Sequence, residues 1–233
     1  MKTIFEHGQA TAIVYELNRY GYKNGMILKT KADLHLARKA WHFLGVLVII
    51  ALYQNSTRSE SLRLAFITTF CFLAVDVLRQ SIPTLNNFVF KVLGPIMREQ
   101  ERNKLAGTSW LLIGVTIIVF LFSDDVVTLS LLFLALGDPV ASLIGVKYGK
   151  DKIVGNKTLQ GTIAAFTVCF IISTIYFYYQ NFMTDRILIV SVIAGLIGAL
   201  SELIPILKLD DNFTYPVLSS SLLWGLFAIF GGA

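Results

Sequence analysis

The chain has 233 residues, of which 55% are apolar and only 15% are charged. Because a soluble domain carries about 25% charged residues, this chain has too few of them to cover a globular surface. The composition excludes a disordered, a collagen-like and a disulfide-stabilised protein, and it indicates an integral membrane protein. The net charge of +5 also raises the question of nucleic-acid binding, which depends on where the charges lie.

The first 35 residues form an N-terminal arm that is not apolar enough to cross a bilayer. Arg19 and Lys23 stand beside apolar residues at helical spacing, a pattern typical of a helix that lies on the membrane surface. These apolar residues are Ile13, Val14, Leu17 and Tyr20. We therefore expect a cytoplasmic or interfacial arm over residues 1–35, with a loosely ordered arm as the alternative. A membrane-embedded domain is expected over residues 36–233.

Seven apolar segments follow, most of them near the ~20 residues that a membrane-spanning helix needs. They cover residues 36–53, 62–78, 108–122, 126–146, 159–179, 187–206 and 217–233. The sequence therefore predicts an all-α, polytopic membrane protein with about seven transmembrane helices. Residues 84–97 form a further apolar stretch, which predicts a second interfacial helix or a re-entrant segment.

Basic residues are concentrated in alternate segments between these predicted helices. Of the 20 Lys and Arg residues, 17 fall on one side of the membrane and three on the other. Since cytoplasmic loops carry an excess of Lys and Arg, the N-terminus is predicted to be cytoplasmic and the C-terminus to lie outside. Membrane topology and contact with lipid head groups then explain the positive charge, and we expect no nucleic-acid partner.

Four ionisable residues lie within apolar runs or at their ends: His42, Asp76, Asp138 and Glu202. Such residues are costly in a membrane and are functional candidates for that reason. With the predicted topology, all four lie towards the cytoplasmic side. The sequence therefore predicts one polar site at the cytoplasmic boundary of the membrane.

The segment over residues 136–162 has the most features of a phosphate-binding site. Asp138, followed by Pro139, interrupts an apolar helix, and glycines, lysines and the start of another helix follow. Glycine backbones, lysines and a helix N-terminus together suit a phosphate chain, and a nearby carboxylate suits Mg²⁺. The predicted nucleotide-binding residues are Ser142, Gly145, Gly149, Lys150, Lys157, Thr158 and Gly161. The spacing does not match a Walker loop, and an ordinary basic cytoplasmic loop is the alternative.

Three smaller clusters carry further polar residues. Arg38 and His42 share one helix face with Lys39 beside them, although membrane anchoring would also explain the two basic residues. Residues 209–219 contain two carboxylates and an Asn ahead of the last predicted span, where a simple helix-capping loop is the alternative. The pair Asp76 and Arg79, with the charged residues 98–102, is also consistent with a salt-bridged surface loop.

The run Gly137-Asp138-Pro-Val-Ala-Ser142-Leu-Ile-Gly145, with Lys157-Thr158-x-x-Gly161 downstream, resembles the CTP-dependent lipid kinases. These include diacylglycerol kinases that use CTP, dolichol kinase, and phytol or farnesol kinases. Arg38-Lys39-x-x-His42-x-x-Gly45 is similar to the family's first-span motif. Asp76-x-x-Arg79, Arg98-x-x-Glu101 and Gly107-Thr-x-Trp110 are most similar to the diacylglycerol kinase branch. The chain departs from the family at Gln160, where a Glu is usual, so no carboxylate role is assigned there.

The resemblance implies a kinase that moves the γ-phosphoryl group of CTP to a membrane lipid alcohol, with Mg²⁺. Diacylglycerol, which would give phosphatidate, is the first candidate acceptor, and phytol or a polyprenol is the alternative. Phosphatidate cytidylyltransferases share a related pattern and are a competing chemistry. A small membrane transporter or scaffold is the alternative from another functional class, although a transporter would more naturally have its polar residues near mid-bilayer.

The expected roles follow from the resemblance and from phosphoryl-transfer chemistry. Asp138 would hold the metal or orient the acceptor hydroxyl, and Lys150, Lys157 and Thr158 would bind the triphosphate. The basic cluster on the first span would neutralise or position phosphate. Metal or base contacts would be completed by Glu101, Glu202, Asp211 and Asn212.

Overall fold

The computed structural model describes residues 22–23, 26–27, 31–206 and 209–231, and side-chain surroundings from residue 38 onward. Nine α-helices make up most of the described chain. They are α1 (Lys31–Gln54), α2 (Arg58–Ser81), α3 (Pro83–Leu93), α4 (Gly107–Leu121), α5 (Asp124–Leu132), α6 (Asp138–Tyr148), α7 (Leu159–Tyr179), α8 (Ile187–Leu203) and α9 (Asp211–Phe230). Short 3₁₀-helices span Glu99–Asn103 and Thr184–Arg186, and a π-helical turn, Phe133–Gly137, joins α5 to α6.

Two small antiparallel hairpins complete the described chain. Strand β1 (Tyr22–Lys23) pairs with β2 (Met26–Ile27), and β3 (Lys152–Val154) pairs with β4 (Lys157–Thr158). The second hairpin was not expected from the sequence. Most of the predicted interfacial helix in the N-terminal arm lies outside the described residues.

Five helical segments of the described chain are long and apolar enough to cross a membrane. They are Arg58–Ser81, the continuous segment Asp124–Tyr148, Leu159–Tyr179, Thr184–Leu203 and Asp211–Phe230. The protein is therefore an all-α integral membrane protein. The other two predicted spans also fall on helices, but α4 has only 15 residues and α1 begins with charged turns. A count of seven crossings stays a prediction.

The last helix begins earlier than the sequence predicts. The span was expected from residue 217, after a loop, whereas α9 begins at Asp211. The side chain of Asp210 accepts a hydrogen bond from the Asn212 backbone N–H at 3.0 Å and so caps the helix. Pro216 lies inside the helix, which membrane helices tolerate. Part of the predicted 209–219 loop is therefore the first turns of a helix.

The core lies around the segment from α5 through the π-helical turn. Residues 126–131 are all buried, as are Phe133, Leu134 and Ala135, so this segment is surrounded by the other helices. Helices α7 and α8 pack closely on one another because α8 presents Gly195 and Gly198 to α7. An added side chain at either glycine would collide with α7.

Helices α1 and α2 lie at the outside of the bundle. Large apolar side chains on α2 are exposed, among them Phe66, Ile67 and Phe70, as expected for a surface that faces lipid. Helix α3 lies within the predicted 84–97 segment and has only 11 residues, too few to cross a bilayer. The helix itself is confirmed, and its position at the membrane surface stays a prediction.

Candidate functional site

A cavity of about 760 Å³ lies at one end of the helix bundle and collects almost every predicted site residue. The residues come from helices that are far apart in sequence. The predicted residues that line it are Arg38, Lys39, His42, Glu101, Asp138, Ser142, Gly145, Gly149, Lys157, Thr158, Gly161, Glu202, Asp211 and Asn212. Lys150 does not line this cavity.

One face of α1 supplies the basic side of the cavity. Arg38, His42 and Gly45 follow one another at helical spacing and all line the cavity, with Lys39 beside them. The imidazole Nε2 of His42 is buried and has no hydrogen-bond partner within the described part of the chain. Since a buried polar atom of this kind normally has a partner, His42 is available for one that the ligand supplies.

Asp138 is placed by a break in the regular helix. The next residue is Pro139, whose ring has no N–H to donate and crowds the carbonyl one turn earlier. The chain forms a π-helical turn over Phe133–Gly137 immediately before Asp138, a feature that is frequent at functional sites. The carboxylate of Asp138 interacts electrostatically with Lys39 and with Lys157. It therefore lies between the two basic sides of the cavity.

Lys157 is held between two carboxylates. Its Nζ donates to Glu202 Oε1 at 2.7 Å and to Asp211 Oδ2 at 3.3 Å. Burial lowers the pKa of Lys157, but the negative charges of Glu202 and Asp211 outweigh this effect and raise the pKa above its ordinary value. The lysine is therefore a cation at neutral pH, and both of its side-chain partners are carboxylates.

The glycines of the predicted phosphate segment bring α6 and α7 close together. Side chains added at Gly145 and Gly161 would contact Thr158 Oγ1 at 3.1 and 3.3 Å. The N–H of Gly161 donates to Thr158 Oγ1 at 3.2 Å, and that of Gly149 donates to the Gly145 carbonyl at 3.1 Å. These N–H groups are used inside the protein, so the observed contribution of the glycines is close packing. Their phosphate-binding role stays a prediction.

Replacing Gly161 with alanine is expected to force α6 and α7 apart. The new Cβ would lie 2.8 Å from the Ala141 carbonyl oxygen and 3.4 Å from Gly145 Cα, which are backbone atoms that cannot rotate away. Overpacking of this kind costs about 1–3 kcal/mol, so the midpoint of thermal unfolding in detergent should fall by several degrees. Gly225→Ala on α9 is the matched control, because its Cβ meets no atom within 4 Å. Equal unfolding midpoints for the two variants would contradict the packing role.

Two residues of the β3–β4 hairpin line the cavity although the sequence did not single them out. They are Lys152 and Asn156, whereas Lys150, which was expected to bind the nucleotide, does not line the cavity. The two residues between the paired positions Val154 and Lys157 include Gly155, whose φ is 56°. A two-residue connection that starts with Gly is a known hairpin signal, so a turn was recognisable from the sequence, whereas the lysine that lines the cavity was not.

Gln160 holds the backbone at Lys150, the predicted residue that does not line the cavity. Its side-chain oxygen accepts hydrogen bonds from the backbone N–H groups of Lys150 at 3.0 Å and Asp151 at 3.4 Å. Its amide nitrogen donates to Asp151 Oδ2 at 2.8 Å. The amide, which has both a donor and an acceptor, thus connects the loop after α6 to the start of α7.

A second group of charged residues connects the loop before α4 to the start of α9. Arg98 Nη1 donates to Asp210 Oδ2 at 3.1 Å, and Asn212 Nδ2 donates to the Gly107 carbonyl at 3.1 Å. Glu101 Oε2 accepts from the Arg98 N–H at 3.3 Å. Burial raises the pKa of Glu101, although the hydrogen bond from the Arg98 backbone opposes this. Glu101 therefore supports the cavity wall. Arg98 also lines the cavity and is paired with Asp210, which does not line it, and the sequence assigned a role to neither.

Arg79 is a fully buried cation at the edge of the same cavity. Its side chain is 1% exposed and pairs with Asp76 at 2.5 Å. Its Nη2 donates to the carbonyl oxygens of Glu101 at 2.9 Å and Lys104 at 2.8 Å, and its Nη1 donates to Asn86 Oδ1 at 3.1 Å. Asp76 Oδ2 accepts from the Ala106 N–H at 2.7 Å. The pair thus fixes the loop before α4 and is not a surface salt bridge, whereas Arg102 and Glu99 in the same loop do form an exposed ion pair.

The fold and the cavity define an integral membrane protein with a charged site at one end of its helix bundle. The chain is 32% identical over 207 residues to the CTP-dependent diacylglycerol kinase 1 of Saccharomyces cerevisiae, covering 79% of this chain and 71% of that relative. It is 34% identical over 205 residues to the protein of the same name from Schizosaccharomyces pombe, covering 81% and 92%. The chain therefore belongs to the CTP-dependent diacylglycerol kinase family, and it is a lipid kinase.

The chain is also similar to a more distant kinase. The chain is 25% identical over 201 residues to the dolichol kinase of Saccharomyces cerevisiae, covering 82% of this chain and 37% of that protein. No family model and no solved structure matches the chain.

Proposed function

We propose that the protein transfers the γ-phosphoryl group of CTP to the free hydroxyl of diacylglycerol and so forms phosphatidate. The hydroxyl oxygen bonds to the γ-phosphorus, the bond from that phosphorus to the β–γ bridging oxygen breaks, and CDP leaves. The hydroxyl proton is released to the cytoplasm. The names of the curated relatives at 32% and 34% identity support both the nucleotide and the acceptor.

One observation carries this proposal: the cavity has a charged end and an apolar end. Arg38, Lys39, Asp138 and Lys157 line the charged end, whereas residues such as Phe72 line the rest. A nucleotide triphosphate requires the first environment and a lipid requires the second. A cavity that contains both suits a reaction in which a polar donor meets an acceptor that stays in the membrane.

The basic residues are suited to binding the triphosphate. Arg38 and Lys39 approach from α1, while Lys152 and Lys157 approach from the β3–β4 hairpin on the opposite side. Lys157 exchanges its contacts with Glu202 and Asp211 for contacts with phosphate when CTP binds. Phosphoryl transfer depends mainly on positioning and charge neutralisation, so these four cations supply the main requirement.

The carboxylates fit Mg²⁺ bound together with the nucleotide. Among the described residues, no group of three or more His, Cys, Asp or Glu side chains could hold a metal ion by itself. This agrees with Mg²⁺, which is usually held by one or two carboxylates and by substrate phosphates. Asp138 and Asp211 would hold it, and Asp138 would otherwise orient the acceptor hydroxyl. The ion would neutralise charge on the triphosphate.

The site faces the cytoplasm in this proposal. The segments that line it carry most of the Lys and Arg residues, as cytoplasmic segments do. Arg58 and Asp124 lie at the opposite ends of their helices and would face outward. Helices α1 and α4 complete seven crossings, with the first 35 residues as a cytoplasmic arm ahead of the membrane domain.

The proposal is tested with purified protein in mixed micelles that contain dioleoylglycerol. CTP labelled at the γ-phosphate should transfer its label to lipid in a Mg²⁺-dependent reaction, and CTP labelled at the α-phosphate should not. Phytol and a polyprenol are offered in parallel as acceptors, and ATP as the donor.

Other results of this assay would each indicate a different function. Transfer to the polyprenol in preference to dioleoylglycerol would indicate a dolichol-type kinase. Release of pyrophosphate with α-label in a CDP-lipid made from phosphatidate would indicate a cytidylyltransferase. The absence of any CTP turnover would contradict an enzymatic role and favour a transporter or a scaffold.

A further inference from the structure

We propose that the apolar end of the cavity, between α1, α2 and α4, binds the acyl chains of the acceptor lipid, and that Gly45 keeps this passage wide enough for two chains. The inference rests on the proposed function, since it concerns the acceptor whose hydroxyl receives the phosphoryl group. It adds a location for the chains and a residue that selects among acceptors.

The cavity lining changes from charged to apolar in the same direction along two antiparallel helices. On α1 the lining runs from Arg38 to Ile49, a distance of about 16 Å along the helix axis. On α2 it runs in the opposite chain direction from Arg79 to Phe72, about 10 Å along the axis, with the hydroxyl-bearing Thr68 one turn further on. Leu111 of α4 covers the inner side. A hydroxyl at the charged end would therefore have its hydrocarbon chains in the apolar end.

The cavity is open at the side of the molecule that would face lipid, around the level where the charged end gives way to the apolar end. Trp41 of α1 and Phe72 and Val75 of α2 line the cavity and are nevertheless about half exposed, at 51%, 47% and 51%. A lining residue with that exposure marks the opening of a cavity. The exposed residues are large and apolar, so the opening suits hydrocarbon, and a diacylglycerol would reach it without leaving the bilayer.

Helices α1 and α2 on either side of the opening are both attached to Asp124 of α5 at the ends that lie far from the charged end of the cavity. Thr69 of α2 donates to the Leu112 carbonyl of α4 at 3.1 Å, and Gln54 of α1 donates to Thr128 of α5 at 2.6 Å. Each helix therefore also has a hydrogen bond to a neighbour of its own, and the gap between α1 and α2 lies between these contacts. It can admit lipid chains without breaking the hydrogen bonds that hold either helix.

Gly45 differs from the other cavity glycines in its surroundings. A side chain added at Gly145 or Gly161 would meet neighbouring atoms at once, whereas one added at Gly45 meets no atom within 4 Å. Packing therefore does not require glycine there, and glycine costs about 1 kcal/mol relative to alanine inside a helix. Its effect is to leave open space one turn beyond His42, where the charged end gives way to the apolar end.

The test compares Gly45→Leu with Gly225→Leu, a position on α9 that also has open space but does not line the cavity. Neither variant should unfold at a lower temperature than the unsubstituted protein, because leucine favours a helix more than glycine does and both positions have open space. Gly45→Leu should raise the KM for dioleoylglycerol by about tenfold or more and leave the KM for CTP unchanged, because a filled pocket rejects bulk. The KM for the single-chain acceptor monooleoylglycerol should rise by a smaller factor. Gly225→Leu should change none of these constants.

Photolabelling locates the chains independently of turnover. A diacylglycerol with a photoreactive group in one acyl chain should label peptides around Ile49 and Phe72, excess dioleoylglycerol should suppress the labelling, and Gly45→Leu should weaken it. Labelling spread evenly over the helices and unaffected by competition, or an unchanged KM in Gly45→Leu, would overturn the passage while the kinase activity remained. An unsubstituted protein that phosphorylates no lipid would instead overturn the proposed function.

Discussion

Replacing Asp138 with asparagine should lower the kcat of the CTP-dependent lipid kinase reaction by about 10²–10³-fold, the size of effect found when one electrostatic contact in an active site is lost. The substitution keeps the shape of the side chain and removes its charge. Asp138 lies at the start of α6, and its carboxylate interacts electrostatically with Lys39 and Lys157 from the two basic sides of the cavity. Its negative charge is therefore placed where the metal or the acceptor hydroxyl would meet the triphosphate.

The measurement is the transfer of γ-label from CTP to dioleoylglycerol over a range of Mg²⁺ concentrations. If Asp138 holds the ion, the variant should also require more Mg²⁺ to reach half of its maximal rate. If it orients the hydroxyl, the Mg²⁺ dependence should stay the same and only kcat should fall. Either pattern agrees with a place at the reacting atoms.

Asp185→Asn is the matched control, because the same substitution is made on an exposed carboxylate in the short helix before α8. Its ion pair with Arg186 is on the surface and contributes little to stability. The control should keep full activity. An Asp138→Asn protein with the same kcat as Asp185→Asn would contradict the assignment of Asp138.

The sequence could predict that these polar residues form one site, because the cost of placing a polar group in a membrane does not depend on how the helices pack. His42, Asp138 and Glu202 stand within apolar runs or at their ends, and alternation of basic loops assigns these positions to one side. No knowledge of helix packing is needed for that inference. The structure brings all three to the same cavity.

The parts that could not be predicted depend on side-chain contacts between segments distant in sequence. The start of α9 at Asp211 follows from capping by Asp210, whose second carboxylate oxygen is also held by Arg98. The replacement of Lys150 by Lys152 in the cavity follows from the register of a hairpin and from the contacts of Gln160. A pattern of apolar and basic residues contains neither kind of information.

Replacing Arg79 with methionine should destabilise the protein by about 3–5 kcal/mol, more than the overpacking expected from Gly161→Ala. The change leaves Asp76 as a buried negative charge without its ion-pair partner. It also leaves the carbonyl oxygens of Glu101, Arg102 and Lys104 without their guanidinium donor. Because those carbonyls belong to the loop before α4, the loss of stability should be concentrated at one wall of the cavity.

Two measurements on detergent-purified protein check this prediction. The thermal unfolding midpoint should fall by roughly 10 °C, from the expected free energy and the usual scaling for a chain of this length. Trypsin should cleave faster after Arg102 and Lys104 at temperatures where the rest of the chain is intact. Arg63→Met on the same helix is the control, because Arg63 is exposed and its side chain donates to the Ser59 carbonyl at 3.3 Å, one turn earlier on the same helix.

A double variant separates the buried charge from the lost hydrogen bonds. Adding Asp76→Asn to Arg79→Met removes the uncompensated carboxylate, so part of the lost stability should return, while the loop before α4 should stay sensitive to trypsin. Kinase activity should be lower in both variants than in the unsubstituted protein, since Glu101 at the cavity wall lacks its contact with the guanidinium in each of them. Full recovery of both stability and activity would show that Arg79 serves only to neutralise Asp76 and does not position the site.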